Sequence, residues 1–294
     1  MAGRPGCIQR VSPGRVGVAL AAALAPGRDR LGGRVISLAE TTSTNDEARR
    51  LAAAGAPEGT IVVADRQTKG RGRLGRKWHS PPGVGLWYSV VLRPPLPLGV
   101  LGPLALVVAV GAVKAAHLAG ATAARLKWPN DVVAGGRKLG GILTEATGGG
   151  VDQPPEFVVA GIGVNVLTPP GGFPGPLAAT ATSLAAVADG RLADDLTDAP
   201  QPAAAFGLLL TGQLDAVYGQ FLAGGFAPIR PVWTAHAATI GGQVSVRGAG
   251  REVVGRAVGI DDDGRLLVCG ADGVTQAVAA GDVTLRPGEE DTEV

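Results

Sequence analysis

Between residues 67 and 78 the chain reads Gln67-Thr68-Lys69-Gly70-Arg71-Gly72-Arg73-Leu74-Gly75-Arg76-Lys77-Trp78, which interleaves cationic side chains with glycines. Such a run suits an anion. Glycine lets the backbone fold over a ligand, while Arg71, Arg73 and Arg76 offer charge-assisted hydrogen bonds to phosphate or carboxylate oxygens. Lys127-Trp128-Pro129-Asn130-Asp131 adds a second cluster, a lysine beside an aromatic, a rigid proline and two short polar side chains. Together they point to nucleotide handling, with a solvated basic loop or an RNA-binding Gly-Arg tract as the competing readings.

Two tempting matches fail. Gly70 to Gly75 satisfies G-x-G-x-x-G, but His79-Ser80-Pro81-Pro82 follows where a dinucleotide fold needs a helix, and no acidic residue stands about twenty positions on. The pattern G-x-x-x-x-G-K-[ST] is absent, so the loop is not a P-loop. Upstream, Thr44 and Glu47 have capping-box spacing ahead of a helix, which accounts for both without a ligand. Ser43 and Asn45 are surplus to that cap. With the amide of Gln67 they can hydrogen-bond a neutral polar head such as a urea or an amide. There is no G-x-S-x-G and no reactive-looking cysteine, so the nucleophiles of any group transfer belong to substrates. His79, His117 and His236 lack the spacing of a zinc set.

The 294 residues carry 27 Lys+Arg against 25 Asp+Glu, a net charge of +2, so the basic loop is local and the chain is not coated for nucleic acid. That length allows one large domain with a real core plus a small satellite. Cys7 and Cys269 lie at opposite ends, which excludes a disulfide framework and a four-cysteine zinc site and fits a reducing cytoplasm. Alanine, 47 glycines and 22 prolines inflate the 46% hydrophobic content without membrane character. Pro94, Pro95, Pro97 and Pro103 interrupt the uncharged stretch from 94 to 113, so no membrane span is expected there. The run from Val16 to Ala25 behind Arg15 has the outline of a signal peptide, but it is mostly alanine and Pro26 follows it; a short helix packed on the domain is expected instead.

The elements that must hold these clusters read as mixed α/β. Strands are expected at 60–64 and 85–92, flanking the basic loop, at 131–134 and 138–145 joined through Gly135-Gly136, and at 157–166. Helices are expected at 45–54, 104–118 and about 203–222. The connections are mostly too short for crossover helices, which predicts a mixed or antiparallel sheet. Residues 189–202 read as an exposed loop. After Pro228 the texture changes to short strands at 243–247, 253–260, 266–269, 275–278 and 283–285 with turn signals between them, a small barrel.

Ser43-Thr44-Asn45, then Gln67-x-x-Gly70-Arg71-Gly72-Arg73-x-Gly75-Arg76-x-Trp78, then Lys127-Trp128-Pro129-Asn130-Asp131, then Lys138-Leu139-x-Gly141-Ile142-Leu143, then Gly161-x-Gly163-x-Asn165 resemble, in this order, the motifs of the biotin protein ligase family. The resemblance runs over roughly residues 35–286, including the small barrel. It implies an α+β fold, a mixed sheet with packed helices of the class II synthetase-like type, over residues 35–228, and an SH3-like barrel and tail over 229–294. It also implies a reaction: ATP and biotin, with Mg²⁺, give biotinyl-5′-AMP, and a lysine of a biotin carboxyl carrier domain then takes the biotinyl group.

By the same resemblance Lys127, Arg71 and Arg73 are the catalytic cations, because two anions must be brought together and charge held at phosphorus. Ser43, Thr44, Asn45, Gln67, Gly70, Arg71, Gly72, Arg73, Lys127 and Gly141 would bind biotin. Arg73, Arg76, Trp78, Asn130, Asp131 and Asn165 would bind the nucleotide. Trp78 reads equally as a core aromatic, and Asp131 as a residue that orients Lys127, places Mg²⁺ or only turns the chain. Some family members precede this domain with a DNA-binding winged helix of about sixty residues. The roughly thirty-four residues here are too few, so no DNA partner is expected, and residues 1–15 are expected to be disordered. Homodimerisation differs among members and is left open. Lipoate protein ligases share the fold and chemistry and form the nearest alternative; a nucleic-acid binder and a ligase reduced to biotin binding are the others.

Overall fold

Alternation along the central strands decides which helices cover which face. The computed structural model describes residues 12–24, 30–189, 201–248 and 251–285. Its larger sheet has seven strands in the order β1-β2-β3-β7-β6-β5-β4, where β1 is Arg34–Thr41, β2 Thr60–Gln67, β3 Gly85–Leu92, β4 Arg125–Lys127, β5 Asp131–Ala134, β6 Arg137–Thr147 and β7 Phe157–Asn165. Only β1 and β2 pair in parallel, joined by helix α2 (Thr44–Ala53); every other neighbour is antiparallel. The sheet is therefore mixed, as the short connections require.

Ile61, Val63, Leu86, Tyr88, Val90, Val158, Ala160, Ile162 and Val164 point to one face, where they pack with helix α1 (Arg15–Ala23), helix α3 (Leu104–Leu118) and the long helix Pro202–Gly224. Burying each such side chain stabilises the fold by about 1.5–3 kcal/mol before the entropy of ordering is counted. α3 is apolar on nearly every side because it lies between the sheet and the long helix, against which Leu214 closes on Gly111. The long helix opens with Pro202 in its first turn and stops at Gly225, whose φ of 63° suits glycine. The opposite face carries Leu38, Val62, Ala64, Val91, Phe157 and Val159 under Ala48 and Ala52 of α2, which covers this end.

Two local expectations fail. Helix α2 starts one residue early: Ser43 holds the N-cap position without a side-chain cap, Thr44 is already helical, and the Glu47 carboxylate pairs with Arg50 at 2.6 Å. The capping box is lost because the Thr44 hydroxyl has a better partner across the site. Residues 12–15 also have a fixed place. The backbone N–H groups of Arg15 and Val16 donate to the Asp65 carboxylate at 2.8 and 3.0 Å, which pins the N-terminus of α1 to β2. Residues 1–11, and most of the loop expected at 189–202, lie outside the described residues.

Helix Arg230–Ala235 leads into a five-stranded antiparallel sheet of order β11-β10-β9-β8-β12, with β8 Gln243–Gly248, β9 Arg251–Ile260, β10 Leu266–Cys269, β11 Thr275–Val278 and β12 Asp282–Leu285. Its apolar side belongs to the same core, through Val244, Val246, Ala257, Leu266 and Val268. Trp128 is the strut between the two sheets. It is buried, its indole N–H donates to the Gly264 carbonyl at 3.0 Å, and its backbone N–H donates to Thr239 Oγ1 at 3.0 Å. No helix among the described residues is long and apolar enough to cross a membrane.

Candidate functional site

Where α2 ends its cover, the strands beneath carry small or polar side chains, Gly141 and Glu145 on β6, Gly161, Gly163 and Asn165 on β7 and Ser89 on β3, with Leu143 and Trp87 as the apolar residues among them. The space left is a cavity of about 480 Å³, within the usual range of roughly 300–1,000 Å³ for small-molecule sites. One end is a polar head pocket. Ser43, Thr44 and Asn45 are buried there by the turn into α2. Gln67 Oε1 accepts from the Thr44 backbone N–H at 2.8 Å and from its hydroxyl at 3.2 Å, while Gln67 Nε2 donates to Ser80 Oγ at 2.9 Å. Ser89 Oγ donates to Asn45 Oδ1 at 2.7 Å and lies 2.8 Å from Thr44 Oγ1.

The basic loop forms the wall beside this pocket as a small hairpin. Trp78 N–H donates to the Gly70 carbonyl at 2.9 Å, Gly72 N–H to the Arg76 carbonyl at 2.7 Å, and Arg71 and Lys77 form a bridge. Gly70 must be glycine, since a β-carbon there would lie 2.6 Å from the Trp78 carbonyl oxygen. At the tip Leu74 takes a left-handed φ of 55° and is three-quarters exposed, an outlier typical of functional loops. Arg71 rests on carboxylates, 2.6 Å from Asp46 and 3.2 Å from Glu145. Exposed pairs of this kind contribute about 0–1 kcal/mol, so an incoming anion can take the guanidinium over. Arg76 pairs with Asp282 of β12, which brings the C-terminal sheet to the rim of the cavity.

The far end is cationic. Lys127 closes β4 opposite Asp131 of β5, half-buried, and among the described residues its ammonium has no ion pair. Asp131 does not serve it: the carboxylate lies 2.7 Å from Lys138 Nζ, because Lys138 follows the tight turn that folds β6 back over β5. The expectation that Asp131 orients Lys127 is therefore corrected. Arg73 donates to Asn130 Oδ1 at 3.3 Å, and Asn130 Nδ2 donates to the Ile142 carbonyl at 2.8 Å. Burial pulls the Arg73 guanidinium below its ordinary value, opposed by the charge of Asp131 and reinforced by that of Arg76. It stays protonated at neutral pH.

Trp78 lies flat over glycine, since a β-carbon on Gly163 would be 2.5 Å from its indole nitrogen and one on Gly141 would be 3.5 Å from its ring. Lys138 Nζ is 5.2 Å from that ring, and the indole N–H is buried without an acceptor. Asn165 lines the cavity but donates its amide to the Thr182 carbonyl at 2.9 Å. Every residue expected to act in catalysis, biotin binding or nucleotide binding lines this cavity except Gly70, whose part is to shape the loop. Ser89, Glu145 and Asp282 had been missed. Ser89 stands as a hydroxyl inside an apolar strand and Glu145 as the one acid of β6, signals whose target needs the strand order; Asp282 lies 206 residues from Arg76 and left no sequence trace.

Residues 34–165 match the biotin/lipoate A/B protein ligase family, and residues 239–286 match the biotin protein ligase C-terminal domain. The chain is 38% identical to the bifunctional ligase/repressor BirA of Bacillus subtilis (strain 168), over 81% of this chain and 70% of that protein. It is also 38% identical to a biotin–[acetyl-CoA-carboxylase] ligase of Paracoccus denitrificans, over 84% of this chain and 98% of that one. A solved biotin protein ligase of Aquifex aeolicus in complex with biotin and ATP superposes with a TM-score of 0.67 at 28% identity, covering 87% of this chain and 99% of that one.

Proposed function

The chain belongs to the biotin protein ligase family, and on that premise we propose that its cavity joins biotin and ATP into biotinyl-5′-AMP and passes the biotinyl group to a lysine of a biotin carboxyl carrier domain. One observation carries the assignment of ends: a buried, neutral hydrogen-bonding pocket at Ser43, Thr44, Asn45 and Gln67 faces an unpaired cation at Lys127 across a single cavity. A ureido ring has donors and an acceptor for the pocket. A dithiolane ring has neither and would gain no hydrogen bond from the pocket, each such bond being worth about 0.5–1.5 kcal/mol, which favours biotin over lipoate.

With the ring seated, the valerate chain runs toward Lys127. There the ammonium draws the carboxylate and the α-phosphate together, offsetting their repulsion and the charge that grows at phosphorus. A carboxylate oxygen attacks the α-phosphorus, the bond to the β-phosphate oxygen breaks, and pyrophosphate leaves. In the second step the carrier's lysine amine attacks the acyl carbon, loses a proton, and AMP departs. Arg71 and Arg73 act from the loop, which also excludes water from the mixed anhydride. Trp78, which lines the cavity and whose indole N–H has no acceptor among the described residues, serves the nucleoside with Arg76, Asn130, Asp131 and Asn165 beside it.

The chain's own donors do not make a cage for Mg²⁺. The cavity carboxylates Asp131 and Asp282 are each paired with a cation, and no cluster of three metal-binding side chains occurs among the described residues. An ion carried in on the triphosphate would keep phosphate and water ligands. The protein is assigned to the cytoplasm, where carrier domains and ATP meet. Biotin-dependent exchange of labelled pyrophosphate into ATP, run beside lipoate and octanoate and followed by labelling of a carrier domain, tests the reading. Exchange with biotin is expected, and exchange with lipoate alone would overturn it.

A further inference from the structure

Glu145 has no part in the chemistry above, yet two site residues, Asn45 and Arg71, converge on its carboxylate together with Arg49. Oε2 accepts from Asn45 Nδ2 at 2.7 Å and from Arg71 at 3.2 Å, and Oε1 pairs with Arg49 at 2.8 Å. The consequence lies in Asn45. An amide donates at one end and accepts at the other. Both Nδ2 hydrogens are used, on Glu145 and on the Leu143 carbonyl at 3.3 Å, while Oδ1 accepts from Ser89 at 2.7 Å and leans against Gly161. Turned over, Oδ1 would face a carboxylate and a carbonyl, and the charged partner is the stronger restraint.

We propose that Glu145 is a positioning residue: it locks the Asn45 amide so that only a carbonyl lone pair is left for the ligand, and so makes the site select a ring N–H at that edge. The inference rests on the ligase reading and deepens it. A ring atom that is itself an acceptor would meet Oδ1 lone pair to lone pair. Without the carboxylate, the amide is held in its present sense by the longer bond to Leu143 and by Ser89, whose hydroxyl can accept as well as donate, so the amide can turn its N–H toward such a ligand.

The test compares biotin with two cyclic carbamate analogues, each with one ring N–H replaced by oxygen, in pyrophosphate exchange. Glu145→Gln and Glu145→Met remove the charge with and without a polar end; Arg49→Ala removes a partner of Glu145 that does not touch Asn45. In wild type, biotin is expected to exceed one analogue in kcat/KM. In both Glu145 variants that ratio should fall about five- to tenfold, the worth of one hydrogen bond, through KM for the acid, while KM for ATP holds; Arg49→Ala should keep the ratio. A merely structural role would lower both acids together and leave the ratio unchanged, which overturns the proposal. So would equal use of biotin and both analogues by wild type. Absence of exchange with biotin in wild type would instead sink the ligase reading, before any variant is made.

Discussion

Replacing Gly161 with alanine attacks biotin recognition from beneath. A β-carbon at this position of β7 would lie 2.0 Å from Asn45 Oδ1, where real side chains keep at least 3.0 Å, so the amide must retreat by about 1 Å. Its bonds to Ser89 and Glu145, both 2.7 Å, then stretch past hydrogen-bonding length. At about 0.5–1.5 kcal/mol for the neutral bond and about 1.5–3 for the charged one, the loss is about 2–4 kcal/mol. Because Asn45 lines the cavity, the displaced amide is expected to intrude on the space proposed for the ureido ring, so that most of the loss falls on affinity. At about 1.4 kcal/mol per factor of ten, biotin binding should weaken at least about thirtyfold. Calorimetric titration with biotin measures this, with KM for ATP as the internal reference and Gly150→Ala, which meets open space, as the control. A folded Gly161→Ala protein that binds biotin within about twofold of wild type would refute the steric argument.

Arg73→Ala should keep the fold, since the side chain makes one long bond to Asn130, but should weaken biotin and release adenylate into water, seen as pyrophosphate and AMP formed without carrier labelling. Lys127→Ala should slow adenylate formation about 10²–10³-fold, as removal of a transition-state charge partner does; unchanged stopped-flow chemistry would remove Lys127 from the reaction. His236 is held below its ordinary value of 6.5 by burial, then by His117, whose ring centroid is 4.9 Å away, and by Arg125 and Lys114. The unfolded chain therefore binds more protons between that depressed value and 6.5, so stability rises with pH across this window and is lost as pH falls. Urea midpoints at about pH 5 and about pH 8 should differ less in His236→Gln than in wild type.

Much of the frame could be read from sequence because a continuous apolar run of strand length is a local signal: 85–92 and 157–165 are buried on both faces and read as central strands before any partner is known. The loop and the Lys127 cluster could be read because their residue types are rare in combination. What could not be read depended on pairing at long range. Thr44 gave up its cap for Gln67 and Ser89, 23 and 45 residues away, and Glu145 meets Asn45 across 100 residues. Asp131 chose Lys138 over Lys127 because the β5–β6 turn delivers it, a matter of register that spacing alone does not settle.

Trp128 gives the small C-terminal sheet a standing beyond its size. The indole that docks on Gly264 is the next residue after Lys127, so the strand end carrying the cation proposed for the adenylation step is covered by chain that lies more than a hundred residues downstream. Opening of the small sheet would wet a buried tryptophan and loosen the lysine in one event. We expect activity and melting of the C-terminal sheet to be lost together, and a chain cut near residue 228 would lack both the cover on Trp128 and the part of the cavity wall that Asp282 and Val283 supply.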